Sequence, residues 1–192
     1  MGERYEIVFD FSAYKGKTIE LRNLEDVGDI GTDDDYKETG KVMRFVVSAN
    51  GPTQPDTSVV PSTLRNVHWP TPAGNTVNHH FRFERTNGEW RINGVGFADV
   101  QNRLLANVPR GTVEIWELEN SSGGWTHPIH IHLIDFKVLS RTGRRTTVMP
   151  YEAAGLKDVV YLAKGETVKV QAHYAPVSDN HSYPVYNTCH RS

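Results

Sequence analysis

The chain has 192 residues, 38% of them hydrophobic, and a mean hydropathy of −0.52. That is enough for one good-sized domain, or a domain plus a fragment, and no apolar run is long enough to span a bilayer. A net charge of −2 and a pI near 6.5 make no electrostatic case for nucleic acid or for an anionic membrane. The single cysteine, Cys189, excludes an internal disulfide framework; next to His190 it reads as a free thiol or a metal ligand.

Taken in order, the segments predict a mostly β chain. "RYEIVFDF" puts Tyr5, Ile7 and Phe9 on one face of a strand, and "KTIELRNL" repeats the alternation, so the two suggest a sheet edge or hairpin. No basic head followed by an apolar stretch precedes them, so no signal peptide is read here and the compartment stays open. Residues 25–40 are acidic and glycine-rich and read as a solvated loop; Asp33, Asp34 and Asp35 lack the EF-hand spacing that calcium would need. "KVMRFVVSA" is a further strand. Residues 51–78, dense in Pro, Thr and Asn, read as a linker between residual strands in 1–50 and a domain over 79–176.

Beyond the linker, "HHFRFERTNGEWRINGVGF" predicts two strands around the turn "TNGE", and "RGTVEIWELEN" one more. "ADVQNRLLANV" allows at most a short helix. "HPIHIHLIDFKVLSR" predicts the longest strand, and "KDVVYLAKGETVKVQAHYA" two strands turning at "AKGE". Short strands separated by turns indicate an all-β Greek-key sandwich or barrel. Residues 177–192 form a divergent tail. No G-x-S-x-G supports nucleophilic hydrolysis, and the lone G-x-G of "RINGVGF" lacks the βαβ setting of a nucleotide site.

The densest chemistry lies in "THPIHIHL", with His127, His130 and His132. On a strand, residues i and i+2 share a face with Cα atoms about 7 Å apart, so His130 and His132 project together while Ile129 and Ile131 meet a packed surface. Pro128 biases His127 towards an extended conformation and a different aim. Imidazole suits copper, zinc or iron, and the pair suits one shared metal or two separate ones. A polar strand face whose histidines only hydrogen-bond stands as the alternative. His68, His79, His80, His173 and His181 read as non-ligands; the adjacent His79 and His80 face opposite sides of any strand.

"THPIHIHL" resembles the third cupredoxin domain of multicopper oxidases. "EDVGDIGTDDDYKETGKVMRFVV", "TQPDTSVVPSTLR", "GFADVQNRLLANVPRGTVEIWEL" and "VMPYEAAGLKDVVYLAKGETVKVQAHYAP" are similar to that family's bilirubin oxidase branch, over most of residues 3–176. The resemblance implies a cupredoxin-like sandwich over 79–176, preceded by closing strands of a neighbouring cupredoxin domain. It also implies copper as cofactor and copper-dependent oxidation of phenolic or tetrapyrrole substrates coupled to reduction of dioxygen to water.

Carried over by motif, His127 would ligate the type 1 copper, His130 the type 2 copper and His132 one of the type 3 pair. Aligned on "PVYNTCH", Cys189 matches the type 1 thiolate and His190 a type 3 ligand, while Thr188 stands where the family has a second histidine. The further histidine and the axial methionine have no counterpart. A blue copper site needs two histidines and a thiolate, so the expectation is a truncated homologue whose oxidase activity is impaired in this chain alone. Two other readings stand beside it. One is an assembly module that covers exposed interface with a second chain or by self-association. The other is a mononuclear copper or zinc site on His130 and His132, with His190 as a candidate third ligand. A small phenolic substrate follows only if the chain is active.

Overall fold

The computed structural model describes residues 5–23, 40–63, 69–174 and, for the backbone, 183–186. The chain divides into two compact units, residues 4–66 and residues 67–192 together with 1–3. Asp33, Asp34, Asp35, His68, His181, Thr188, Cys189 and His190 lie outside the described residues.

In the first unit, β1 (Thr18–Arg22) pairs antiparallel with β2 (Lys41–Val46), Thr18 opposite Val46 and Leu21 opposite Met43. The alternating stretch before it forms no strand. The Asp10 carboxylate instead accepts from the backbone N–H of Ser12 at 2.8 Å and from its hydroxyl at 3.0 Å. That local turn competes with a sheet ladder and leads into a 3-10 turn at Ser12–Tyr14. Phe9, Phe11, Tyr14 and Phe45 then pack on one another, with ring centroids 4.8–5.7 Å apart. The expected hairpin partner of β1 is therefore replaced by β2.

The second unit is built on a six-stranded sheet. Its strands are β3 (His79–Thr86), β4 (Glu89–Ile92), β5 (Val95–Gly96), β7 (Val113–Asn120), β9 (Phe136–Thr142) and β11 (Thr167–His173), in the order β5-β4-β3-β7-β11-β9. All neighbours are antiparallel except β3 and β7, which run parallel. Two further pairs complete it: β6 (Leu104–Val108) with β12 (Tyr183–Tyr186), and β8 (His127–His130) with β10 (Val159–Leu162). The expected turn appears between β3 and β4, where Asn87 and Gly88 both take positive φ, 52° and 81°, as a two-residue hairpin matched to strand twist requires.

Period-two alternation aims the core. Trp116 and Leu118 of β7, Phe81 and Phe83 of β3, Val168 and Val170 of β11 and Phe136 of β9 are buried in one cluster. Val108, Val160 and Leu162 join it from the other strands, and Ile129 and Ile131 pack against or within it. The result is the expected all-β sandwich. Each fully buried large side chain, Leu162 or Phe136 for example, is worth about 1.5–3 kcal/mol relative to exposure.

Residues 98–108, where the sequence allows at most a short helix, carry none: a turn at Asp99–Asn102 leads into β6, in which Ala106 and Val108 are buried at period two. One expectation is corrected in this unit. Residues 127–141 are not one strand: β8 ends at His130 and β9 begins at Phe136, so β3 and β7, with eight residues each, are the longest described strands. The interruption centres on Leu133, which sits at φ 72°. A single helical turn, α1 (Pro150–Ala153), was signalled by nothing in the chain's periodicity. No helix among the described residues is long and apolar enough to cross a membrane.

Candidate metal centre

β8 carries two of the three clustered histidines and is held by β10, with His127 opposite Leu162 and His130 opposite Val159. Ile129 packs against the core and Ile131, just beyond the strand, within it, as the alternation predicts, which turns His130 the other way. His132 reaches the same neighbourhood by a different route. It lies beyond the strand, in an irregular stretch where Leu133 takes a left-handed backbone before antiparallel pairing resumes at Phe136 opposite Lys157. The rings of His130 and His132 stand edge to face with centroids 5.0 Å apart.

Leu133 is 76% exposed, so no packing compensates its backbone strain, which for an L-residue in this region costs about 1–2 kcal/mol. Leu133→Gly is expected to raise unfolding stability by up to about 1 kcal/mol. Leu133→Val should lower it, since a β-branched residue tolerates positive φ worst. Denaturant titration decides; a valine variant as stable as the parent would contradict the account.

His130 Nδ1 lies 2.7 Å from the carbonyl oxygen of Asp158. A carbonyl only accepts, so Nδ1 carries a proton and Nε2 is the nitrogen that a neutral ring would offer, the arrangement in which a backbone acceptor orients a metal-binding imidazole. The Asp158 carboxylate stands farther off, at 4.0 Å. His130, Leu133, Asp135 and Asp158 help line a cleft of about 260 Å³.

His127 occupies a different setting. Trp90 meets its ring edge-on at 5.2 Å, Phe83 lies at 6.0 Å, and Nε2 is 2.9 Å from the Ser122 hydroxyl. Burial pushes its pKa below the ordinary imidazole value, which favours the neutral ring that metals bind. Trp90 also packs edge-on against Trp125 at 5.5 Å, with the Arg85 guanidinium over both rings.

Of the remaining described histidines, His79 and His80 are engaged elsewhere. His79 Nε2 is 3.2 Å from the Glu114 carboxylate, and His80 Nε2 is 2.8 Å from that of Glu119. They lie on opposite sides of β3, as adjacent strand residues must. His173 ends β11, exposed. Sequence reasoning missed Ser122, Trp90 and Asp158. Ser122 sits in "NSSGGW", a stretch whose composition signals only a loop.

The donor set fits copper as a contribution to a site rather than a whole one. Neutral imidazoles suit the metal, and His130 already presents a free nitrogen. Among the described residues, however, no group of three or more His, Cys, Asp or Glu side chains is arranged to hold a metal ion. The third ligand that a mononuclear reading would draw from His190 lies outside the described residues.

Residues 69–190 match the family model for multicopper oxidases. The chain is 64% identical over 193 aligned positions to a bilirubin oxidase of Albifimbria verrucaria, covering 99% of this chain and 33% of that protein. It is 32% identical to a laccase of Bacillus stratosphericus, covering 92% of this chain and 37% of the relative. The chain thus spans about a third of the length of the curated relatives it matches. Among solved structures, the multicopper oxidase McoA of Aquifex aeolicus superposes with a TM-score of 0.63 at 24% identity, over 88% of this chain and 36% of that one, a likeness of fold. A laccase of Pediococcus acidilactici does so with a TM-score of 0.60 at 24% identity, over 86% of this chain and 32% of that one.

Proposed function

This chain belongs to the multicopper oxidase family, and from that premise we propose that it supplies one domain's share of a copper-dependent oxidase. The family's cofactor is copper and its fold the cupredoxin sandwich. In this reading His127 would hold a mononuclear copper and His130 and His132 would help hold a separate copper cluster, the two together supplying the redox chemistry between substrate and dioxygen. The observation that carries it is the His130–His132 pair, rings 5.0 Å apart, with the Nδ1 of His130 tied to the Asp158 carbonyl. Copper supplies the one-electron chemistry. The chain's own residues orient the imidazoles of His127 and His130 and separate His127 from the pair through Pro128. Cys189 and His190 are proposed as further ligands, and a small phenolic compound as substrate of the assembled enzyme.

The chain alone should bind copper incompletely and should not couple oxidation of a phenolic dye to oxygen uptake. Metal analysis, optical absorption and paramagnetic resonance on the purified chain test this. A His130→Ala/His132→Ala variant should lose the copper that the parent retains. Equal copper in parent and variant contradicts the ligand assignment, and a blue parent chain that oxidises the dye contradicts the incompleteness.

A second reading concerns assembly. Ile7, Val8, Met43 and Val46 of the first unit are more than half exposed, and an apolar surface of this kind marks interaction. The partner is proposed to be a further cupredoxin domain or a second copy. Sedimentation of a monodisperse monomer that binds no apolar dye would argue against both.

A further inference from the structure

We propose that Ser122, fixed by Asn120, is the positioning residue of His127: its hydroxyl accepts from the Nε2–H of His127 and thereby leaves Nδ1 as the nitrogen offered to a metal. The assignment follows from which atoms are able to donate. Asn120 is buried, 2% exposed, and its side-chain nitrogen is surrounded by the carbonyl oxygens of Trp125 at 2.8 Å, Leu162 at 3.1 Å and Ala163 at 3.1 Å. Carbonyls only accept, so the amide nitrogen must face them. The amide oxygen must face the other way, towards Ser122.

That oxygen accepts from the Ser122 backbone N–H at 3.0 Å and lies 2.7 Å from the Ser122 hydroxyl. It has no proton to give, so the hydroxyl donates to it. The other acceptor within reach of the hydroxyl, the Trp125 carbonyl at 3.4 Å, has no proton to give either. Two oxygens 2.7 Å apart need a proton between them, and only the hydroxyl has one, so that proton is committed to the Asn120 oxygen. Towards His127 Nε2, 2.9 Å away, the serine oxygen is left to accept. A neutral imidazole carries one N–H; with that proton on Nε2, the lone pair falls on Nδ1. Trp90 and Phe83 wall the ring and limit its rotation.

The outcome is opposite to that at His130, where the Asp158 carbonyl takes the Nδ1 proton and leaves Nε2 free. Two histidines three positions apart thus offer different nitrogens, each selected by an uncharged acceptor. The network also spans the sandwich. Asn120 ends β7, and the carbonyls it holds include Leu162 and Ala163, at the end of β10, the strand that pairs with the histidine strand.

The metal-facing part of this inference rests on the proposed copper role of His127; the tautomer does not. The test is long-range 1H–15N correlation NMR on the 15N-labelled full chain without metal. His127 should show a protonated Nε2 and a bare Nδ1, with an Nε2–H proton slow to exchange with water. Ser122→Ala should give a mixture of tautomers and lose the slow proton, and Ser122→Thr, which keeps the hydroxyl, should restore both. A protonated Nδ1 in the parent overturns the proposal, as does a Ser122→Ala spectrum unchanged from the parent. If Ser122→Ala fails to fold, the parent and Ser122→Thr spectra still decide. Adding Cu(I) then separates the two claims: the predicted tautomer with a His127 Nδ1 untouched by copper would refute the copper role and leave that of Ser122 standing.

Discussion

Glu166→Ala is expected to cost the second unit about 3–5 kcal/mol, because it leaves two buried guanidinium groups without their shared counter-ion. Glu166 is wholly buried, as is Arg141, and Arg145 is nearly so. One Glu166 oxygen accepts from Arg145 Nη2 at 2.7 Å, from Arg141 Nη1 at 3.1 Å and from the Ala163 backbone N–H at 2.8 Å; the other accepts from the Arg145 backbone N–H at 3.0 Å. Arg141 in turn pairs with buried Glu152 of α1, and both arginines donate to the Tyr161 carbonyl of β10. Glu166→Gln should cost less, keeping one acceptor while setting an amide N–H among donors.

The same pair predicts acid sensitivity. Burial raises the Glu166 pKa, but the Arg145 hydrogen bonds, the Ala163 N–H and the charges of Arg145 and Arg141 outweigh it, and the folded value lies below the ordinary carboxylate range. A depressed folded pKa contributes stability above the unfolded value of about 4.5, and that contribution is lost as pH falls through the folded value. Denaturant midpoints of parent and Glu166→Ala should therefore converge in acid. Equal midpoints at neutral pH would refute the argument.

Gly143→Ala is the second large effect. A Cβ at Gly143 would lie 2.1 Å from the Gly165 carbonyl oxygen, and the residue sits at φ 95°. Backbone strain of about 1–3 kcal/mol adds to an overpacking cost of about 1–3 kcal/mol, and the obstacle is main chain, which cannot swing aside. Gly165→Ala is the control: its φ is 67°, but a Cβ there meets nothing within 4 Å, so strain alone is expected. Thermal melts of the two should separate them clearly, with Gly143→Ala the less stable or insoluble. The reverse order would mean that the β9 end and the β10–β11 turn do not approach as described.

Much of the sandwich was legible because alternation in β3, β7 and β11 reports burial directly, and because "TNGE" can close a tight hairpin. The histidine motif was legible as a cluster, and the resemblance it carries agrees with the family to which the chain belongs. Other features were hidden for physical reasons. Residues 5–11 alternate as a strand would, but a local Asp10–Ser12 turn and ring stacking outcompete the ladder. The break after His130 rests on one non-glycine residue at positive φ, which no pattern announces. Arg141, Arg145, Glu152 and Glu166 look like surface residues in a linear reading; only their mutual pairing permits burial. Ser122 matters through what Asn120 leaves it to accept, a relation that sequence spacing does not contain.

The position of β11 bears on how the chain is made. It lies between β7 and β9 and hydrogen-bonds to both, yet it is the last strand of that sheet to be synthesised. Until residues 167–173 leave the ribosome, β7 and β9 each expose an unpaired edge and the apolar face meant for Val168 and Val170. A nascent polypeptide in that condition invites wrong pairings, so its yield in a cell should respond to translation speed and to chaperones that shield open strands.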